Sequence, residues 1–430
     1  MEGSNSLAEE AKPWLENCAK PEVQKAKQIA YEMGSGKLQV VYNSTTEQDD
    51  QPKILPQVIA SICVAAFHIV VGISMAFSAV MVPQLDQGVA GLHIGKESSS
   101  WLVSILVLMA PVGAILAGLI MDNVGRLNTI RLAALPAAVG FIMIASGQSY
   151  GMLFAGRLIA GIASSMGTSP AVVYITEVGS PRVRGSLISM CPTLASLGMV
   201  IAYSEGYFFT WRTVAWLTLG YIALSVLVIS VWIPESPLWL VARGRVDEAE
   251  RSLKWLSGKN SRLPARQLAM MVKSQDMKAL VVAGFFERFR TFLTPAGYKP
   301  LAIICGLFVF QQFAGIYSTL FYAVTFFEDI GSGLDPALST ILMGLVRFIM
   351  SMCNTGMLKK FGRRPLCMIS GCGMAVCLTM SGIFTWKIVN EGMEGVSWIP
   401  VTCILLYVVT SMLGPFDHAV SCVVLQAWKA

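Results

Sequence analysis

The chain has 430 residues, of which 54% are hydrophobic and 13% charged, with a mean hydropathy of +0.61. That balance excludes an ordinary soluble domain, in which about a quarter of residues carry charge. The net charge of +6 is not a nucleic-acid signal, because the basic residues follow loop topology and form no single patch.

Residues 1–56 are polar and have no apolar core of their own, which predicts a disordered cytosolic tail. No signal-peptide pattern opens it. Gly34–Leu38, GSGKL, lacks the opening Gly and the Ser/Thr of a phosphate loop and is rejected as one. Asn43-Ser44-Thr45 is a formal glycosylation sequon, without consequence on a cytosolic tail.

Runs of about twenty apolar residues, the length that crosses a hydrocarbon core, then recur. They fall at 57–80, 101–121, 129–147, 152–175, 187–206, 213–233, 301–325, 337–357, 366–386 and 398–425. The fold class is therefore an all-α polytopic membrane protein. The cysteines lie mostly inside these spans, with no CxxC pair, and read as small buried apolar residues.

Lys and Arg set the orientation. The loops after spans 2, 4, 6 and 8 carry Arg126 and Arg131; Arg182 and Arg184; a dense set from Arg243 to Lys299; and Lys359, Lys360, Arg363 and Arg364. The opposite loops hold Lys96, Arg212 and Lys387 among acids such as Glu328 and Asp335. The positive-inside rule predicts a cytosolic amino terminus and central loop.

Residues 234–299 form that central loop. Within Arg243–Gly258, Val246, Ala249, Leu253 and Leu256 recur at helical spacing between charges, which predicts a short amphipathic helix. It serves as a cap or linker, or as a regulatory partner site. The predicted organisation is a tail (1–56), a six-helix bundle (57–233), a cytosolic linker (234–299) and a partial second bundle of about four spans (300–430).

The seventh span is the informative one. Phe308–Tyr322, FVFQQFAGIYSTLFY, carries two adjacent carboxamides, Gln311 and Gln312, in a run otherwise fit for lipid. In a continuous helix Gln311, Gly315, Ser318 and Tyr322 share one face. A carboxamide donates and accepts hydrogen bonds, as a sugar hydroxyl does. Two readings stand: helix–helix contact through polar groups, or one wall of a polar-solute pathway.

Related signatures follow spans 2 and 8: Gly118, Asp122, Gly125 and Arg126 in the first half, Lys359, Gly362, Arg363 and Arg364 in the second. Further motifs are Arg157 with Gly161; Tyr174, Glu177, Pro181, Arg184 and Gly185; Pro234–Leu240 (PESPLWL); Gln311–Gly315 (QQFAG); and Gly362–Leu366 (GRRPL). In order and spacing, from about residue 57 to 415, this set resembles the sugar porter family of the major facilitator superfamily. Pro83–Leu85 and Pro192 resemble the insect trehalose and glucose facilitators within it.

The resemblance implies two helical bundles that alternately expose a sugar held between them. It implies sugar contact by Gln311, Gln312 and Tyr322, with Tyr317 and Arg347 as further candidates at positions that depart from the pattern, and a network of charges that links the bundle ends: Asp122, Arg126, Arg157, Glu177, Arg184 and Arg363. The alternative role for each charge is interfacial anchoring. It further implies a facilitative uniporter of trehalose or glucose in the plasma membrane, with a sugar and the bilayer as partners and no nucleic acid. No enzyme activity, cofactor or metal is expected: there are three histidines (His68, His93, His418) and no metal-spacing cluster. The alternative is a non-transporting relative, a sensor or inactive isoform.

Departures from the pattern qualify this. Tyr317 stands where the family has Asn, Ser78 where proton-coupled relatives carry Asp, and Lys359 where the second signature has Asp. Arg347 lies midway along span 8, where the family offers a carboxamide. An Arg at the bilayer centre costs about 2.5–3.5 kcal/mol on insertion scales and demands a partner. Asp417 is the candidate structural partner, and an anionic substrate is the other reading. After Gly414-Pro415-Phe416 the sequence leaves the family pattern, and two further spans that the resemblance implies are expected to be missing.

Overall fold

The computed structural model describes residues 54–88, 94–257, 263–280, 298, 302, 305–306, 309–330, 335–361, 363–391 and 398–413. The predicted tail lies outside them apart from its last residues, as do Asp417 and the side chains of Lys359 and Arg363. Among the described residues the regular structure is all α-helix.

Six long helices come first: α1 Ile54–Asp86, α2 Lys96–Val124, α3 Arg126–Ala145, α4 Tyr150–Val178, α5 Arg184–Phe208 and α6 Trp211–Trp232. Three helices follow between the halves: α7 Pro237–Ala242, α8 Val246–Ser257 and α9 Leu263–Leu280. The second half holds α10 Ile316–Phe321, α11 Ala323–Ile330, α12 Pro336–Phe361, α13 Arg363–Glu391 and α14 Trp398–Leu413. Among the described residues, eight helices are long and apolar enough to cross a membrane, and α14 is a shorter apolar one. Ten were predicted; the seventh is interrupted, and the tenth is described only over its first sixteen residues.

Apolar side chains all round let these helices face both lipid and protein. Leu135, Val139, Leu224, Leu227 and Val231 point outward, while Phe77, Phe141, Tyr174 and Trp211 fill the core of the first half. Between helices in lipid the hydrophobic effect offers little, so close backbone packing must supply the attachment. Glycines provide it reciprocally. A Cβ at Gly72 of α1 would run into the Ala195 carbonyl of α5, and one at Gly198 of α5 into the Ile69 carbonyl of α1. Gly113 and Gly161 join α2 to α4 in the same way.

The halves meet along α5 and α12 and through α1 against α10 and α11. Ile73, Ala76 and Ala79 of α1 and Met199, Ala202 and Tyr203 of α5 pack on Ile316, Leu320, Ala323, Phe327 and Met343. This seam lies away from the charged loops. Ala76 is nineteen residues beyond Gln57, about 28 Å at the helical rise, and Gln57 accepts from the Ser180 amide at the charged end.

The three helices between the halves have a core of their own. Trp239, Leu240, Ala249, Leu253, Leu268 and Val272 pack together, so α7, α8 and α9 form one small layer under the charged end.

Candidate functional site: a broken helix and a charged end

The seventh span does not run as one helix. The turn 309–313 stops at Ala314, and Gly315 takes φ +79°, a left-handed conformation open to Gly at little cost. Helix α10 starts from it and stops at Tyr322, where α11 begins. The predicted single stripe of Gln311, Gly315, Ser318 and Tyr322 therefore does not exist as one helical face. Gln311 is buried, 6% exposed, whereas its neighbour Gln312 is exposed. Tyr317 stacks obliquely on Phe321, ring centroids 6.0 Å apart, against Val82 and Val103 of the first half. Tyr322 shares a hydrogen bond with Ser100 of α2 at 3.0 Å.

Each break exposes a carbonyl that a continuous helix would satisfy, and in a membrane such a group requires another partner. The Tyr407 hydroxyl of α14 donates to the Ala314 carbonyl at 2.6 Å. The Tyr203 hydroxyl of α5 donates to the Leu320 carbonyl at 3.0 Å. Neither tyrosine was singled out from sequence, because an aromatic in an apolar run reads as packing.

Arg347 is buried midway along α12, within electrostatic range of both tyrosines. One turn on, Ser351 shares a hydrogen bond with Thr193 of α5 at 2.9 Å, and Asn354 is buried beyond it. These side chains form a polar line along α12.

At that end Arg126 grips Glu177 with two bonds, Nε to Oε2 at 3.1 Å and Nη2 to Oε1 at 2.9 Å. Both side chains are nearly covered, 12% and 10% exposed, so removing either would strand a charge away from water. Ser236 donates to the same carboxylate at 2.5 Å. Asp122, at 73% exposure, stands 3.8 Å from Arg126 and contributes mainly its carbonyl, which accepts from Trp239 Nε1 and Arg243.

Glu235 is the site residue that sequence reasoning missed. Its carboxylate accepts from the Arg126 and Leu127 amides at 3.2 and 3.1 Å, closing the bare amino end of α3, which has no side-chain cap of its own. Gly125, with φ +105°, makes room: a Cβ there would stand 2.7 Å from Glu235 Oε2. The signal was in PESPLWL, but the distant helix it caps was not.

Of the remaining predicted charges, Arg184 and Arg157 bond elsewhere, and the side chain of Arg363 lies outside the described residues. Arg184 donates to the Gly179 carbonyl at 3.2 Å and lines a cleft of about 320 Å³ with Gln57, Glu177, Leu253 and Gln267. Arg157 is fully buried in α4, twenty residues before Glu177 and so about 30 Å away along the helix. It donates to the Ser74 carbonyl at 2.9 Å, the Leu102 carbonyl at 3.2 Å and the Ser78 hydroxyl. Arg157 thus ties α1 and α2 to α4. Arg126 pairs with Glu177 and Asp122 within the first half, and Arg245–Glu248 and Lys254–Glu250 pair at α8.

Residues 57–417 match the model of the sugar (and other) transporter family. The chain is 31% identical over 385 residues to a facilitated trehalose transporter of Aedes aegypti, covering 89% of this chain and 47% of that protein. It is 30% identical over 361 residues to a facilitated trehalose transporter homolog of Drosophila sechellia, covering 83% and 73%. The chain thus spans about half the length of the mosquito relative. In fold it is similar to the xylose transporter XylE of E. coli in a partially occluded inward-open conformation, with a TM-score of 0.69 at 20% identity, over 87% of this chain and 90% of that one.

Proposed function

The chain belongs to the sugar (and other) transporter family, and on that premise we propose that it moves a neutral sugar, trehalose or glucose, across the plasma membrane by facilitative uniport. The observation that supports this reading is the broken seventh span: Tyr317 and Tyr322 reach Val82, Val103 and Ser100 of the first half, and the Gln311 carboxamide of the same span is buried. Carboxamides match sugar hydroxyls in donor and acceptor, and aromatic rings match the apolar faces of pyranoses.

Uniport is supported by the surroundings of Arg157. Its described partners are a serine hydroxyl and two carbonyls, groups that keep their charge state as pH changes. Ser78 is the span-1 position at which the resemblance puts an acid in proton-coupled relatives. Orientation with the charged end in the cytosol is supported by Arg126, Arg131, Arg182, Arg184 and Arg243 lying at that end. The Arg126–Glu177–Ser236 cluster, which lies within the first half, would then be that half's side of a cytosolic latch, tighter in one state than in the other.

The test is uptake of labelled trehalose and glucose into cells expressing the chain, with surface protein measured in parallel. Saturable uptake that is indifferent to a protonophore supports uniport, and the better sugar names the substrate. Uptake abolished by the protonophore replaces uniport with proton coupling. Saturable sugar binding without net flux replaces transport with a sensor.

A further inference from the structure

The two breaks of the seventh span are capped from different sides. Tyr203, which caps Leu320, belongs to the first half, so its bond crosses the seam and is lost whenever the halves part there. Tyr407, which caps Ala314, belongs to the same half as the broken span, so its bond persists while the halves move. Tyr407 is fully buried, and the Thr319 side chain lies within hydrogen-bond reach of the same hydroxyl. Thr319 itself donates to the Gly315 carbonyl at 3.1 Å. The hydroxyl of Tyr407 therefore holds the chain at Ala314, and the Thr319 hydroxyl beside it closes on the Gly315 carbonyl.

We infer that Tyr407 is a positioning residue for solute: its hydroxyl sets the angle of the break at Gly315, and through it the direction in which Gln311 meets a solute lying against Tyr317. A glycine chooses among several backbone conformations at similar energy, so the angle must be selected from outside. In a water-poor interior the Ala314 carbonyl takes whichever donor is present. With Tyr407 in place that donor is the hydroxyl. With phenylalanine it becomes the Ser318 amide, four residues on, which straightens the break and swings Gln311 relative to Tyr317.

The inference rests on the sugar-transport reading, and two measurements separate them. In transporting cells Tyr407→Phe raises the KM for sugar about three- to tenfold, the loss of one buried hydrogen bond's worth of alignment, and leaves the maximal rate per surface molecule within about twofold. A purely structural tyrosine would lower surface amount and maximal rate and leave KM alone; that result overturns the inference. The second measurement needs no transport. Gln311→Cys and Gln312→Cys are alkylated with a membrane-permeant maleimide, and labelling at each position is followed by mass spectrometry. Tyr407→Phe is expected to quicken labelling at position 311 several-fold and to leave the exposed position 312 unchanged. Equal labelling at 311 with and without the hydroxyl overturns the inference, including in a chain that moves no sugar.

Discussion

The Tyr203 hydroxyl meets the Leu320 carbonyl at 3.0 Å across the seam between the two halves. Around it the contact is apolar: Ile73, Ala76, Met199, Ile316 and Phe327 close the end of the molecule remote from the charged loops. A directional bond inside an apolar seal fixes the register of the two halves, which apolar packing alone leaves adjustable.

Tyr203→Phe keeps the ring and removes that bond. The seam should open more readily, since one inter-half hydrogen bond contributes about 0.5–1.5 kcal/mol. A cysteine placed at Val82 should then react with an impermeant thiol reagent, added from the remote side, about two- to tenfold faster. Unchanged reactivity would show that the apolar contacts alone hold the seam.

Glu235 caps a helix other than its own. Glu235→Ala should lower stability by about 0.5–2 kcal/mol, the usual loss for an amino-terminal cap, and the purified protein should unfold at a lower temperature. Glu235→Gln keeps an acceptor for the Arg126 and Leu127 amides, so it should retain much of the cap while losing the charge term. If Ala and Gln variants melt alike, the charge on the helix end dominates the cap.

Ser78→Asp would place a carboxylate beside Arg157. Both positions are fully buried, so the acid gains a partner and a titrating group enters the span. Uptake by the parent is expected to vary little across neutral pH. The variant's uptake should change with pH, because its aspartate exchanges a proton in one orientation more easily than in the other. A flat profile for the variant would show that an acid here is insufficient for coupling.

Arg347→Gln tests the charge in the polar line. For a neutral sugar the substitution should leave uptake equal to or above the parent's, since a buried cation gives way to a carboxamide. Uptake of an anionic sugar, if the parent shows any, should fall at least about tenfold with the loss of the charge. A collapse of neutral uptake with normal surface protein would instead make Arg347 part of the sugar contact.

The membrane helices were legible in the sequence because each is an apolar run of spanning length bounded by charge or Gly. The broken seventh span was not. QQFAGIYS is continuous in hydropathy, and what turns Gly315 left-handed is a hydroxyl ninety-two residues further on. Arg126 and Glu177 come together at chain positions that their loops predict, 2.9 Å apart. Arg157 was grouped with them by motif, although its distance along α4 already separates it; the count of residues at 1.5 Å each was the signal to use. Glu235 sat inside a recognised motif, but a cap supplied to another helix leaves no local pattern.

The reciprocal glycine contacts of α1 with α5 and of α2 with α4 have a mechanical meaning. Where two backbones touch directly, sliding one past the other drives carbonyls into Cα atoms, so each pair resists shear far more than helices spaced by long side chains. Arg157 fastens α1 and α2 to α4 at another level. The first half is thereby stiff, and any relative motion of the halves must be taken up by compliant backbone elsewhere. Among the described spans the most interrupted is the seventh, with two breaks seven residues apart. In such a molecule the strain of any relative motion of the halves would concentrate on the very segment proposed to meet the solute.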